Sequence, residues 1–278
     1  MTAFVNNIKT VVLLGALTGL LVAVGGMIGR EFMLPFLIMA LVMNFVAWFF
    51  SDKLAIAAMR GKELDENTGG DLYRMLVRLS ERAGLPRVPR LYISPHDAPN
   101  AFATGRSPSK AAVCFTQGAL DLMNPSEIEG VMAHELAHIK NRDTLISTVS
   151  AVVAGVLAFI AQWGLLLGMG RGGHGNPLVM FLVIIIAAVG AAVLKSMISR
   201  AREYVADADG AKIAGSPYGL ISALERLDSY SKRIPLRQPN PAQNNLFIVE
   251  PLTGDAVGRL FATHPPVADR VRKLRELG

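Results

Sequence analysis

The sequence predicts an α+β membrane protein in which four transmembrane helices form two hairpins and two polar segments form one domain. Of its 278 residues, 51% are hydrophobic and 18% are charged, and the mean hydropathy of +0.38 is too high for an ordinary soluble domain. Four runs carry no charged side chain, and each is near the roughly 20 residues that cross ~30 Å of hydrocarbon. These runs are residues 10–29, 32–51, 144–170 and 177–194.

The positive charges predict how these helices are oriented. Twelve of the 28 Lys and Arg residues lie between 52 and 143 and thirteen from 195 onward, whereas the turn of each hairpin carries one. Because cytoplasmic loops are enriched in Lys and Arg, the N-terminus and both polar segments are expected in the cytoplasm. The expected organisation is a hairpin over 1–51, a first domain part over 52–143, a second hairpin over 144–194 and a second domain part over 195–278.

The first apolar run has a second interpretation, a cleaved signal peptide, for which residues 23–25 offer a poor cleavage site. The next run follows after only Arg30 and Glu31, and this favours an uncleaved hairpin. The net charge of +6 suits a surface of anionic lipid, and a nucleic-acid partner is disfavoured because acidic residues are interleaved with the basic ones. The lone Cys114 forms no internal disulfide, as expected on a reducing side of the membrane.

The first polar segment alternates helical and extended patterns. Apolar side chains recur at helical spacing after Asp71 and stop at Gly84, which predicts a short amphipathic helix with a glycine C-cap. Residues 90–94 and 111–116 predict strands, and residues 100–104 predict a third extended piece. The apolar positions of the helix are Leu72, Met75, Leu76 and Leu79.

Three further helices are expected. One begins with Asn124 as N-cap, Pro125 at the first helical position and Glu127 completing a capping box, and it can run to about Arg142. A second spans "SRAREYVADADGAKIAG" and ends at Gly215. The third is in the tail, where Val267, Val271 and Leu274 share one face, and the Pro-, Asn- and Gln-rich residues 231–257 predict a loop.

The first of these helices carries "HELAH", a pattern typical of zinc sites. His134 and His138 lie one turn apart on the same face, so that both can bind one metal ion, and Glu135 lies beside them. A catalytic zinc usually has three protein ligands and a water molecule whose pKa it lowers to about 7. Glu135 can take a proton from that water and pass it to the leaving amine.

The third ligand follows from the remaining carboxylates and histidines. A histidine ten residues after the first is excluded because Thr144 stands there. The best carboxylate is Glu203, and Asp207 lies on the same helical face, where it can fix the tautomer of a ligand histidine. A plainer alternative is that these two acids form surface pairs with Arg200 and Arg202. The second hairpin fills the interval before Glu203 and returns the chain to the zinc helix.

Together "HELAHIKNRD", "SRAREYVADADG", "NAFATG" and the late "THPP…DR" resemble the HtpX family of bacterial inner-membrane zinc metalloproteases, a gluzincin group related to the CAAX prenyl proteases. The resemblance covers nearly the whole chain. It implies a multi-pass protein with a zincin-like cytoplasmic domain and one zinc ion per chain. It also implies ATP-independent cleavage of damaged or misfolded membrane proteins in protein quality control and stress response. The implied ligands are His134, His138 and Glu203, with Glu135 as general base and Asp207 supporting a ligand.

The resemblance suggests further site residues. Asn100, Ala101 and Phe102 would form an edge strand that pairs with an extended substrate, although an ordinary hairpin strand fits the same pattern. His264 would donate to the oxyanion of the tetrahedral intermediate, although a lone histidine is more often structural. Arg270 would orient His264 or act beside it.

Asp143 has two interpretations, a hydrogen bond to a ligand histidine or a cap on the end of the zinc helix. Three other functions are alternatives to a protease of this family. The polar residues around the motif disfavour an intramembrane protease, and spans without ionisable side chains disfavour a transporter or channel. A non-catalytic membrane chaperone or scaffold with a structural zinc is the remaining alternative, but structural sites usually have four Cys or His ligands. The expected partners are the lipid bilayer and membrane-protein or unfolded polypeptides, with self-cleavage as a hazard and no oligomeric state predicted.

Overall fold

The structure, a computed structural model, describes residues 2–147, 149, 200–233 and 265–278. The predicted second hairpin beyond its first turn, most of the predicted 231–257 loop, His174 and His264 lie outside these residues. The helices described are α1 (Thr2–Ile28), α2 (Met33–Ala58), α3 (Glu66–Ala83), α4 (Gln117–Leu122), α5 (Pro125–Lys140), α6 (Arg200–Ala214), α7 (Tyr218–Arg233) and α8 (Val267–Arg275). The strands are β1 (Lys62–Leu64), β2 (Arg90–Ser94), β3 (Ala101–Gly105) and β4 (Ala111–Thr116).

Helices α1 and α2 form a hairpin joined by a single 3₁₀ turn, Arg30–Phe32. Two hydrogen bonds between the helices come from Asn44, whose Nδ2 donates to Thr18 Oγ1 at 2.7 Å and to the carbonyl oxygen of Leu14 at 3.1 Å. Helix α2 continues to Ala58, beyond the predicted hairpin boundary at 51, so its last two turns reach the polar domain and pack on the sheet.

One helical stretch among the described residues, Arg30–Phe50, is long and apolar enough to cross a bilayer. The apolar stretch of α1, Asn7–Ala23, is shorter, although α1 itself covers most of the predicted first span. The expectation of four spans is therefore supported for one of them by length and composition. Residues 144–147 begin a helix, and the buried Leu145 and Ile146 pack against α1.

The sheet has four strands in the order β1-β2-β4-β3. Strand β2 pairs parallel to β4, whereas β1 and β3 are antiparallel to their neighbours. Side chains of alternate residues face opposite sides of a sheet. The set containing Leu91, Val113 and Phe115 packs on α5, and the set containing Tyr92 and Cys114 packs on the end of α2. The predicted strands over 90–94 and 111–116 are confirmed.

Helix α5 is the centre of the domain, since it contacts the sheet on one side and α6 and α7 on the other. Its predicted start is confirmed: the Asn124 side chain accepts from the backbone of Ser126 and Glu127, and Pro125 is at the first helical position. The helix ends at Lys140 rather than near Arg142. The reason is local, because Arg142 adopts a left-handed backbone with φ of 58°.

Glu127 completes this cap and also joins α5 to α7. One carboxylate oxygen accepts a hydrogen bond from the backbone amide of Asn124 at 2.9 Å. The other accepts hydrogen bonds from Ser222 Oγ at 2.5 Å and Arg226 Nε at 2.9 Å. Burial by itself would raise the pKa of Glu127, but these hydrogen bonds and the Arg226 charge lower it below its usual range. The N-terminus of α5 is therefore fixed by a buried, ionised carboxylate.

Replacing Glu127 by Gln is expected to destabilise the domain by about 1.5–3 kcal/mol, because a charged acceptor with three donors is lost. The folded-state pKa is depressed, so this contribution is present above the ordinary pKa of a glutamate and is lost as the pH falls through the lower folded value. Thermal melting in detergent at neutral and acidic pH measures both effects. The exposed Glu66→Gln variant of α3 is the control, and equal melting temperatures at neutral pH would contradict the assignment.

Candidate metal centre

The two histidines of "HELAH" present the same ring nitrogen to one point. His134 Nε2 lies 3.1 Å from His138 Nε2. The opposite nitrogens lie against carboxylates, since His134 Nδ1 is 3.0 Å from Asp207 Oδ1 and His138 Nδ1 is 3.1 Å from Asp143 Oδ2. When each Nδ1 donates its proton to a carboxylate, both Nε2 atoms carry lone pairs, which is the tautomer that binds a metal.

The carboxylate of Glu203 lies close to both of these nitrogens. Its Oε2 is 3.7 Å from His134 Nε2 and its Oε1 is 3.6 Å from His138 Nε2. A tetrahedral zinc site with bonds of about 2.0–2.1 Å has edges of about 3.3 Å between ligand atoms. The three observed separations are near this length, so the two nitrogens and one oxygen can bind a single zinc ion after small side-chain adjustments. The residues present therefore fit the expected metal.

The electrostatic potential between the two histidines and Glu203 is negative, which favours binding of a cation. Burial on its own would lower the pKa of His138, but the hydrogen bond to Asp143 and the charges of Glu203, Asp143 and Glu135 raise it to about 9. Without a metal, a proton on His138 can bridge to His134, and a bound divalent ion takes the place of that proton. Two nitrogen lone pairs only 3.1 Å apart repel each other, so either a proton or a metal ion lies between them.

Arg270 neutralises part of this negative charge. Its guanidinium binds both oxygens of Asp207, with Nε to Oδ2 at 2.9 Å and an Nη to Oδ1 at 2.6 Å. Another Nη lies 3.7 Å from Glu203 Oε2. Arg270 is fully buried and Asp207 is 2% exposed. Burial opposes ionisation, but Arg270 and His134 hold the pKa of Asp207 at about 2. Asp207 therefore stays ionised beside His134.

The buried carboxylates exclude the surface-pair alternative considered for Glu203 and Asp207. Both are at most 6% exposed and point at the histidines. Arg202, from the same helix, instead approaches Asp143 at 3.9 Å, and Asp143 contacts His138 as described above. Of the two interpretations of Asp143, the structure therefore has the one in which it bonds to a histidine.

Glu135 lies between the candidate metal site and β3, which is an edge strand of the sheet in the part of the chain that the structure describes. It is 5% exposed and accepts a hydrogen bond from the amide of Ala103. Burial raises the pKa of Glu135, and the two histidines and the Ala103 amide work against this increase. The carboxylate thus lies next to the ligand pair and within reach of any polypeptide that pairs with β3.

Every second residue of β3 directs its backbone amide and carbonyl away from β4, toward the outer edge of the sheet. Asn100 exchanges hydrogen bonds with Thr116, since its amide donates to Thr116 Oγ1 at 2.8 Å and its carbonyl accepts from the Thr116 amide at 2.9 Å. In an antiparallel ladder the bonding direction alternates. The amides and carbonyls of Ala101 and Ala103 therefore point away from β4, whereas those of Phe102 point toward it. Among the expected substrate residues, only Ala101 presents its backbone outward.

The sequence-based predictions do not include every residue at the site. Ala103 is absent from them, although alternation along the strand indicates its direction. Arg202 enters them only as a partner in a surface pair. Arg270 was expected near His264, which lies outside the described residues, so the relation between these two is not described. The sequence gives no indication of the role of Gly210, because that role depends on contact with another helix.

Gly210 allows α6 to approach α5 closely. A Cβ at this position would lie 2.9 Å from His134 Cα and 3.0 Å from the His134 nitrogen, both main-chain atoms within a helix. Real Cβ atoms are essentially never so close to other atoms, so any larger residue must push the two helices apart. Because α6 carries Glu203 and Asp207, the missing side chain of Gly210 sets their distance from the histidines.

The Gly210→Ala variant is expected to be destabilised by about 1–3 kcal/mol and to bind zinc about tenfold more weakly, since the carboxylates move away from the histidines. Competition with a fluorescent zinc chelator measures the affinity. Gly19→Ala is the matched control, a helical glycine whose added Cβ meets no atom within 4 Å. Unchanged affinity in Gly210→Ala would show that the helix separation does not set the site.

The family to which this sequence matches is consistent with a metal centre of this geometry. The family model described as Peptidase family M48 matches residues 66–278, which include every described residue of the metal centre. The chain belongs to peptidase family M48. It is therefore a metallopeptidase, and the M48 match begins within the first polar segment and runs through the second.

Relatives within the M48 family extend over the whole chain. A "Protease HtpX homolog" of Pelotomaculum thermopropionicum is 48% identical over 98% of this chain and 99% of that protein. Proteins with the same name are 48% identical in Desulfatibacillum aliphaticivorans, over 97% of this chain and 89% of theirs, and 43% identical in Thermococcus sibiricus, over 97% and 95%. The resemblance to the HtpX family drawn from the motifs is confirmed.

A solved structure shares the fold of this M48 chain. The crystal structure of S. mikatae Ste24p superposes with a TM-score of 0.52, covering 98% of this chain and 66% of that one. The two sequences are 16% identical. Because the sequence identity is this low, the similarity shows a shared fold and nothing about function.

Proposed function

We propose that this M48 peptidase is a zinc-dependent, ATP-independent endopeptidase of the bacterial inner membrane that cleaves damaged or misfolded membrane proteins at the cytoplasmic face. The observation that carries the proposal is the cluster of His134 Nε2, His138 Nε2 and the Glu203 carboxylate beside the buried Glu135. The two nitrogens are 3.1 Å apart, and each lies 3.6 to 3.7 Å from one of the two Glu203 oxygens. Two histidines and one carboxylate leave one position of a tetrahedral site open, as in catalytic zinc sites.

The residues of this chain have separate tasks in peptide hydrolysis. When bound, zinc would supply Lewis acidity toward water and toward the scissile carbonyl. Glu135 accepts a proton from the attacking water and then delivers it to the leaving amine nitrogen. Asp207 and Asp143 hold the ligand histidines in the metal-binding tautomer, and Arg270 keeps Asp207 ionised. His264 is proposed as the donor to the oxyanion.

The edge of β3 supports the choice of an extended polypeptide as substrate. The outward amide and carbonyl of Ala101 and the outward carbonyl of Ala103 can bond to a substrate backbone irrespective of its side chains. An unfolded segment offers such a backbone, whereas a folded protein does not. The apolar stretch Arg30–Phe50 directly precedes the domain and supports a site held close to the membrane surface. Loose sequence preference also makes self-cleavage a hazard.

The test is removal and return of the metal. Protein purified in detergent with chelator is expected to leave casein intact, and addition of about one zinc per chain is expected to restore cleavage. Elemental analysis measures the bound zinc, and gel electrophoresis measures the cleavage. If one zinc binds at the site and casein stays intact, the non-catalytic chaperone or scaffold is favoured. If cleavage persists with no metal bound, the zinc mechanism is wrong.

A further inference from the structure

A basic pocket of about 660 Å³ lies where the end of α2 meets the polar domain. Three segments line it: the last part of the apolar stretch of α2, the residues just before β2, and the turn between β3 and β4. The residues of the metal centre are not among them. The charged groups of the lining are Asp52, Lys53, Arg87, Arg90, Arg106 and Lys110.

These charges leave a strong positive excess. Asp52 is the one acid in the lining, and Arg90 binds it at 3.1 Å. The other four cations remain to attract an anion. Two of them lie over aromatic rings, with Arg106 at 4.9 Å from the ring centre of Phe49 and Lys53 at 5.6 Å from that of Phe50. The rings thus position cationic groups at the boundary between apolar and polar surface.

An exposed apolar ridge leads away from this pocket along α2. The rings of Phe45 and Phe49 are in contact, with centroids 4.5 Å apart, and both side chains are exposed. Leu41, Val42 and Ile38 continue the exposed surface toward the start of the helix. A soluble phosphate ion would use the cations and leave the ridge uncovered. A ligand with a phosphate at one end and hydrocarbon chains at the other would use both.

We propose that this pocket binds the headgroup phosphate of an anionic phospholipid, whose acyl chains lie along the α2 ridge. The proposal rests on the proposed membrane location, because the stretch Arg30–Phe50 ends where the pocket begins. If that stretch crosses a bilayer, the pocket lies at the depth of the headgroups, where basic residues attract anionic lipids. The lipid then fixes the height of the domain, and with it the active site, above the membrane.

The experiment uses the full chain in nanodiscs of equal parts phosphatidylglycerol and phosphatidylcholine, with native mass spectrometry of the lipids that stay bound. Wild type is expected to retain phosphatidylglycerol preferentially. The Arg87→Gln/Lys110→Gln variant is expected to lose at least about fivefold of this preference, since each basic group near anionic lipid strengthens binding by about that factor. The Arg74→Gln/Arg272→Gln variant removes the same charge at two exposed positions outside the pocket and should retain the preference.

Equal preference in wild type and in the pocket variant overturns the lipid site, and so does failure of the chain to enter nanodiscs. Inorganic phosphate, compared with chloride at equal ionic strength, is expected to leave the preference unchanged. Weaker binding of inorganic phosphate by the pocket variant, with equal phosphatidylglycerol preference in both proteins, would identify a site for a soluble anion and would overturn the proposal. Casein cleavage by the same preparations reports the proposed function separately, because an active enzyme without lipid preference refutes the pocket alone.

Discussion

Replacing Glu135 by Gln is expected to slow casein cleavage by about 10²–10⁴-fold while zinc stays bound, because proton transfer by a positioned carboxylate contributes about this factor. The amide side chain has the same shape and can still accept from the Ala103 amide through its oxygen. It cannot take a proton from water at neutral pH. Single-turnover cleavage in detergent, together with the zinc content of each sample, measures the two properties independently.

The control for this variant lies on the same helix. Glu129 pairs with Arg78 at 2.9 Å, and its side chain is 28% exposed. The Glu129→Gln variant therefore removes one carboxylate from α5 without touching the metal centre and should cleave at the wild-type rate. If Glu135→Gln cleaves as fast as Glu129→Gln, Glu135 is not the general base and the proposed mechanism is wrong.

The second large effect concerns Arg270. Replacing it by Met leaves the buried Asp207 without its cation, and removal of one partner from a buried pair costs about 3–5 kcal/mol. For a chain of this size the melting temperature should fall by roughly 10 °C. Thermal unfolding in detergent measures this loss. Arg270→Lys keeps the charge but not the two-point contact with Asp207, so it should fall between wild type and Arg270→Met.

A double variant separates stability from function. In Asp207→Asn/Arg270→Met neither charge remains buried, so most of the lost stability should return. Zinc affinity should still be about 10–100-fold below wild type, because His134 has lost the carboxylate that fixes its tautomer. Wild-type zinc affinity in the double variant would show that the pair supports the fold only and does not position the ligand.

Local parts of the fold could be predicted from the sequence. The start of α5 was correct because its cap is made within four residues, by Asn124, Pro125 and Glu127. The glycine C-cap of α3 was correct for the same reason, since Gly84 adopts the left-handed backbone with φ of 67°. The start of α3 could not be predicted in this way. Its first turn is polar and capped by Asp65, whereas the apolar periodicity begins only at Leu72.

Other parts depend on contacts distant in sequence. Strand β1 is three residues long and mostly exposed, so only its pairing with β2 identifies it. The cluster of His134, His138 and Glu203 was expected from the spacing and the family motifs. The pairing of Asp207 with Arg270 spans 63 positions, and the contact of Gly210 with His134 lies between helices. Residue type and spacing carry no information on such contacts, which exist only in the packed domain.

The position of Arg270 in the chain gives the site an order of assembly during synthesis. The ribosome makes His134, His138, Glu203 and Asp207 before it makes Arg270, so a growing chain carries every metal ligand while Asp207 still lacks its cation. Closing α6 on α5 at that stage would bury an unpaired charge, which is costly. The folded centre is therefore less stable in a nascent chain until α8 has emerged. The order of these residues along the chain thus favours completion of the centre late in synthesis.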